Sequence, residues 1–220
     1  MDMLGPYELN TIVTGDAREL EKAIPDESVD LIFTDPVYDR IDDYRWLAET
    51  AARVLKPNSA CLVWAATPLL PDIINAMSSN LLYKWQLIHY RPNRVKEKFG
   101  AAGFCKYEIL LWYEKGCSKM KRWLDLFSVP VFMNGRNSSN HMWSKEPMAI
   151  YRVMGKFSGS IILDPFTGGG TVPAVCKMLR RNYLAFEIDS AIADMARQRV
   201  AETQPPLLID MPEQMSMSLD

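Results

Sequence analysis

Cysteine, histidine and long apolar runs are all scarce in this chain of 220 residues, and each scarcity removes a class of protein. The four cysteines (Cys61, Cys105, Cys117 and Cys176) stand far apart, with no C-x-x-C pair and only two histidines to complete a metal set. That spacing argues against a zinc site or a disulfide framework and fits a reducing compartment, so a cytoplasmic location is expected. The most apolar stretch, Cys61 to Ile74, is broken by Pro68, Pro71 and Asp72 and is too short to span a bilayer. The first residues, Met-Asp-Met-Leu-Gly, lack a basic region followed by an apolar one, so neither a signal peptide nor a membrane partner is expected. A large charge of one sign is missing too, the net value being −2.

What is present is an ordinary globular composition, 48% hydrophobic and 24% charged, with enough length to bury a core without staples. The charge, small in sum, is unevenly spread. Lys84 to Arg122 holds ten Lys/Arg against three Asp/Glu, a local +7 on a body of −9, and this block is interleaved with aromatics such as Trp85, Tyr90, Phe104, Tyr107 and Trp112. Such a block suits a polyanion, although a solvated face on an ordinary insertion would look the same.

Short apolar runs alternate with helical patterns along the chain. Thr11–Thr14, Val29–Thr34, Ala60–Ala66, Trp85–Tyr90, Ile109–Tyr113, Ser160–Leu163 and Tyr183–Phe186 read as strands. Ala17–Ala23, Tyr44–Leu55, Leu70–Ser78, Met148–Phe157, Thr171–Leu179 and Ile192–Ala201 read as helices. This alternation predicts an α/β fold with a mainly parallel sheet and helices on both faces. A single domain over residues 1–203 is expected, with an insertion at about 84–144 and an extended tail at 204–220. In such folds ligands lie beyond the carboxyl ends of the strands. Three segments place glycine or acid at those ends: Gly15-Asp16, Asp35-Pro36-Val37-Tyr38, and Asp164-Pro165-Phe166-Thr167-Gly168-Gly169-Gly170-Thr171.

The third segment carries three glycines from a strand into a helix, where backbone can approach a ligand closely and free N–H groups face it. Glu187 follows Gly168 by nineteen residues at the end of the next strand, well placed to accept hydrogen bonds from ribose hydroxyls. Position 173 is proline, not the third glycine of a dinucleotide fingerprint, and no lysine follows Gly170 as a Walker loop requires. A nucleoside ligand without pyrophosphate fits best, and S-adenosylmethionine is the common one. Asp189 reads as a helix N-cap.

The Asp35 segment suits chemistry on an aromatic amine. The lone pair of a base's exocyclic amine is delocalised into the ring, so methylating it calls for acceptors to both N–H groups. Asp35 offers a carboxylate, and Pro36 a carbonyl on a residue of fixed φ. Tyr38 offers a flat face for an extruded base, worth roughly 1–3 kcal/mol, because the target atom inside a duplex is reached only by flipping the nucleotide out.

With these residues in place the chain resembles an amino-group DNA methyltransferase of the permuted β-class, the N6-adenine and N4-cytosine family. The family's Asp-Pro-Pro-Tyr box comes first, then a target-recognition segment, then the Asp-Pro-Phe-x-Gly-Ser-Gly-Thr loop; here the order is Asp35–Tyr38, the basic block, then Asp164–Thr171. Val29–Tyr38 and Arg53-Val54-Leu55-Lys56-Pro57 are also similar to runs of these enzymes, and the likeness covers roughly residues 10–200. The resemblance implies a circularly permuted, Rossmann-like methyltransferase fold with S-adenosylmethionine as cofactor. It implies catalysis by Asp35, Pro36 and Tyr38, and cofactor binding by Asp16, Asp164, Phe166, Gly168, Gly170, Thr171 and Glu187, with Asp16 near the cofactor adenine. His141 and Lys145 would mark the segment before the cofactor helix, although Lys145-Glu146-Pro147 is one residue out of register with the family's Lys-Pro. Val37 replaces the second proline of the box, removing one φ lock.

The implied function is site-specific methylation of double-stranded DNA, at adenine N6 because an aspartate opening the box is more typical of adenine enzymes. N4-cytosine methylation, RNA methylation, and a non-catalytic nucleic-acid-binding module on a decayed fold stay open as alternatives. A recognition region of roughly 60 residues is short, which suits a short target or a second copy in a homodimer, and a restriction-enzyme partner is compatible with the same class.

Overall fold

The computed structural model describes residues 2–37, 39–90, 96–97, 104–105, 107–116, 126–128 and 147–204; residues 96–97, 104–105 and 126–128 are described by backbone alone. A hairpin of β1 (Met3–Leu4) and β2 (Tyr7–Glu8) precedes β3 (Thr11–Thr14). Next come α1 (Ala17–Leu20), prolonged by a 3-10 turn over Glu21–Ala23, then β4 (Val29–Thr34), α2 (Ile41–Val54), β5 (Leu55–Ala65), α3 (Leu70–Met77) and β6 (Leu82–Tyr90). Two short strands, β7 (Lys96–Glu97) and β8 (Phe104–Cys105), pair with each other before β9 (Tyr107–Glu114) and β10 (Leu126–Ser128). The chain then runs through α4 (Pro147–Met154), β11 (Ile161–Asp164), α5 (Thr171–Met178), β12 (Asn182–Glu187) and α6 (Ser190–Glu202).

Eight strands form one sheet in the order β10-β6-β9-β5-β4-β11-β12-β3, and every pairing is parallel except those of β9 with β5 and β6. Strand alternation sorts the apolar residues onto two faces. Ile32, Cys61, Val63, Leu111, Tyr113, Leu184 and Phe186 pack on one side with Ala17 of α1, Tyr44, Leu47 and Ala51 of α2 and Ile73 of α3. Leu31, Phe33, Leu62, Trp64, Leu110, Trp112 and Ala185 pack on the other with Ile150 of α4, Val175 of α5 and Ala196 of α6. Each large side chain fully buried in this way contributes roughly 1.5–3 kcal/mol. The fold is therefore the Rossmann-like α/β sandwich expected, helices on both faces.

Two boundaries differ from the expectation for physical reasons. Lys56-Pro57-Asn58 reads as a helix stop followed by a loop, yet β5 already begins at Leu55. The register with β4 shifts between Leu55 and Ala60, and this bulge admits Pro57 and the positive φ (63°) of Asn58. The basic block is also divided: parts of it lie in β6 and β9, strands of the central sheet. There Lys84 forms an ion pair with Glu114 at 3.3 Å, their side chains 12% and 3% exposed. Outside β6 and β9 this region thus spans 91–106 and 115–146, the latter including β10, rather than all of 84–144. At the foot of the sheet, burial raises the Asp30 carboxyl's pKa. The Lys56 ammonium and the Ile161 and Ser160 N–H groups outweigh that and hold it below the usual value, locking β4 against the start of β11.

Candidate active site

β4 and β11 are neighbours, and the chain leaves them in opposite directions. From β4 it crosses through α2 to β5 on one side; from β11 it crosses through α5 to β12 on the other, with α2 and α5 on opposite faces. The gap between them is a topological switch point, where doubly wound sheets open a crevice for ligands. Asp35-Pro36 leaves the end of β4 and the Asp164–Thr171 turn leaves the end of β11, so two segments 129 residues apart in sequence emerge side by side at this switch point. Asp35 is half-buried, Pro36 is buried, and Val37 is 51% exposed.

Beside this gap, side chains from five segments form a rim. Asp16 is at the end of β3, capping α1 through a hydrogen bond from the Arg18 N–H at 2.9 Å. The Arg18 guanidinium lies over the Trp46 ring at 5.6 Å, and Trp46 meets Phe166 edge-on at 5.5 Å. Glu187 closes the circuit: its Oε2 accepts from the Gly168 N–H at 2.9 Å and its Oε1 from the Asp189 N–H at 3.0 Å, while its carbonyl accepts from the Gly15 N–H. Each carboxylate oxygen keeps a further lone pair for a hydroxyl. Gly168 has φ +48°, and a Cβ built there would meet nothing within 4 Å, so its backbone faces open space. Carboxylates for hydroxyls, an aromatic edge for a ring and an open glycine backbone together fit a nucleoside such as S-adenosylmethionine.

Other residues expected to bind the cofactor turn inward. Gly170, φ +73°, brings α5 so close to α6 that a Cβ would lie 2.8 Å from that of Ala196; close helix packing is what demands a glycine there. Thr171 is 7% exposed and its hydroxyl accepts from Arg199 at 2.7 Å, while the same guanidinium nitrogen donates to the Gly169 carbonyl at 2.8 Å. Burial lowers the Arg199 pKa. Asp164 is 2% exposed and accepts from the Thr34 hydroxyl at 2.7 Å. These three residues hold the turn from behind. Asp189 caps α6, accepting from Ala191 and Ile192, as its position suggested.

Tyr38, His141 and Lys145 lie outside the described residues, as does the tail from 205. Sequence reasoning missed Arg18, Trp46, Thr34 and Arg199, since each matters through a partner distant in the chain. Only Trp46 carried a local signal, a large aromatic on the helix that follows the Asp35 segment. Among the described residues no cluster of His, Cys, Asp and Glu is suited to a metal, and no helix is long and apolar enough to cross a membrane.

The chain is similar to known proteins. A family model for N6/N4 methyltransferases, described as DNA methylase, matches residues 142–198, which include the whole glycine turn and Glu187. The Type II methyltransferase M.HinfI of Haemophilus influenzae is 27% identical, over 90% of this chain and 70% of its own length. M.HpaI of Haemophilus parainfluenzae is 26% identical, over 86% and 73%. The crystal structure of the M1.HpyAVI–SAM complex superposes with a TM-score of 0.70 at 23% identity, covering 86% of this chain and 98% of that one. In the order of its segments and in its fold the chain thus resembles the S-adenosylmethionine-dependent DNA methylases that act on adenine N6 or cytosine N4.

Proposed function

We propose that the protein methylates the exocyclic N6 of an adenine extruded from double-stranded DNA. The observation that carries this reading is the meeting of Asp35-Pro36 and the glycine turn at one switch point. An acceptor pair for an amine and a nucleoside cradle thereby share a crevice. The bound cofactor supplies a methyl group made electrophilic by its sulfonium, so no nucleophilic residue or metal is called for.

The chain's own groups do the rest. The Asp35 carboxylate and the Pro36 carbonyl accept the two amino hydrogens, turning the nitrogen lone pair out of conjugation. The proton shed by the methylated amine leaves on the Asp35 side. Tyr38 stacks on the extruded base. Asp16, Phe166, Gly168 and Glu187 line the cofactor's nucleoside, and Asp164, Gly170 and Thr171 fix the shape of the turn behind it. Asp35 favours adenine over cytosine by the family habit already described. The stretches 91–106 and 115–146 carry the remaining basic charge and are proposed to read the target inside one catalytic domain. A second copy of the chain as helper and a restriction enzyme as counterpart are further proposals of the same kind.

The test is incubation with tritiated S-adenosylmethionine and mixed-sequence duplex DNA, then digestion to nucleosides and chromatography. Label in N6-methyldeoxyadenosine is expected. Label in N4-methyldeoxycytidine would keep the chemistry and overturn the base. No label, with cofactor binding intact, would overturn the DNA reading altogether.

A further inference from the structure

Asp164 ends β11 beside the end of β4, and it is more deeply buried than any other acid of the site. Its Oδ1 accepts from the Thr34 hydroxyl at 2.7 Å and the Phe166 N–H at 3.4 Å. Thr34, fully buried, is the residue immediately before Asp35. One carboxyl group therefore ties the root of the Asp35 segment to the first turn of the glycine loop. The groups that face it are Thr34 from β4 and Asp35 just beyond it, Thr167 and the Phe166 N–H from the loop, and the Cys176 thiol from α5. Among the described residues none of them is a cation, and Asp164 has no ion pair.

We infer that the Asp164 carboxyl group acts in its uncharged form as a support for Asp35, a positioning residue and not a ligand of the cofactor. This rests on the function proposed above, which makes Asp35 the acceptor for the amine. A second carboxylate buried this deeply beside Asp35 would be costly, and shedding its charge is the usual escape. Burial pushes the Asp164 carboxyl up to about 7; the Thr34, Thr167 and Phe166 donors pull against this and nearby Asp35 adds to it. The negative charge then stays on Asp35, where the amine's hydrogens are accepted. As pH rises through about 7 the proton leaves Asp164, and the free enzyme acquires a second buried anion at the root of the box. The rate constant kcat/KM, which reports free-enzyme ionisations, should fall over that range.

Two readouts test this. Infrared titration of the whole protein should show a protonated carboxyl band at pH 6 that fades above neutrality and is missing from Asp164→Asn. That variant mimics the neutral acid, so it should keep S-adenosylmethionine affinity within about threefold, retain methyl transfer and lose the alkaline fall in kcat/KM. Thr34→Val should lower kcat while sparing cofactor affinity, and Thr34→Ser should restore it. A loss of cofactor affinity of about tenfold or more in Asp164→Asn would make the charge a ligand contact and overturn the inference. So would a band unchanged by the substitution, or an unaltered pH profile. The band is read without turnover, so a protein that shows it and methylates nothing would sink the proposed function alone.

Discussion

Asp35 and Glu187 are both carboxylates at strand ends, yet the site asks opposite things of them, and substitution separates the two. Asp35 faces the amine in the proposed reaction, whereas the cofactor's nucleoside is proposed to lie against Asp16, Phe166, Gly168 and Glu187. Asp35→Ala should therefore cut methyl transfer by about a hundredfold or more, the scale of a lost proton-handling group, and leave cofactor affinity nearly intact. Glu187 binds two backbone N–H groups, Gly168 and Asp189, besides the hydroxyls proposed for it. Glu187→Ala removes charge-assisted hydrogen bonds worth about 1.5–3 kcal/mol each, so the dissociation constant of S-adenosylmethionine should rise tenfold or more. Calorimetric titration and single-turnover rates check both. Equal loss of binding and transfer in Asp35→Ala would contradict its role, and unchanged affinity in Glu187→Ala would remove it from the ribose site. The sequence made both residues visible because each follows an apolar run at a strand end. Asp164 looked the same by that criterion and turned out to be buried, since the direction a side chain takes beyond a strand depends on Thr34, 130 residues away.

At the scale of elements the glycine turn holds two glycines with different reasons to be glycine. A Cβ on Gly168 would stand in open space, whereas one on Gly170 would press into Ala196 of α6. Both have positive φ, so alanine costs about 1 kcal/mol of backbone strain at either place. Beyond that common cost, Gly168→Ala should weaken cofactor binding with little change in melting temperature. Gly170→Ala should lower the melting temperature by several degrees, because overpacking a helix interface adds about 1–3 kcal/mol. Thermal unfolding with and without cofactor distinguishes them, and the reverse pattern would refute this division of the turn. Elements of this kind were legible wherever period and stop signals agreed: the strands leading into Gly15, Asp35 and Asp164 all lie where their apolar runs put them. The three-residue β10 was not legible, as three residues carry no period. Nor was the early start of β5, where a bulge tolerates a proline that normally ends a strand reading.

For the whole molecule, the informative quantity is where the basic charge is left after the fold has used some of it. Lys84 is paired with Glu114 inside the sheet, and Lys115 donates to Glu27 at 3.0 Å. The eight other basic residues of the block are Arg91, Arg94, Lys96, Lys98, Lys106, Lys119, Lys121 and Arg122, all in the two stretches that leave the sheet strands. If those stretches meet DNA phosphates, affinity must depend on salt, because each neutralised phosphate releases counterions and contributes about −0.9 to the slope of log K against log salt. Replacing Lys119, Lys121 and Arg122 together with glutamine should then flatten the slope by roughly 2 to 3 and weaken binding across all sequences alike. Affinity for S-adenosylmethionine should not move, since the cofactor rim draws on β3, α1, α2, the glycine turn and β12. Lys84→Gln is the internal control: it strips the buried Glu114 of its cation and should lower stability without touching the slope. Fluorescence-anisotropy titrations of duplex DNA over a range of potassium chloride concentrations read both variants. A slope indifferent to the triple change would place the phosphate contacts elsewhere on a molecule whose remaining surface is acidic. The basic block would then be an ordinary solvated face.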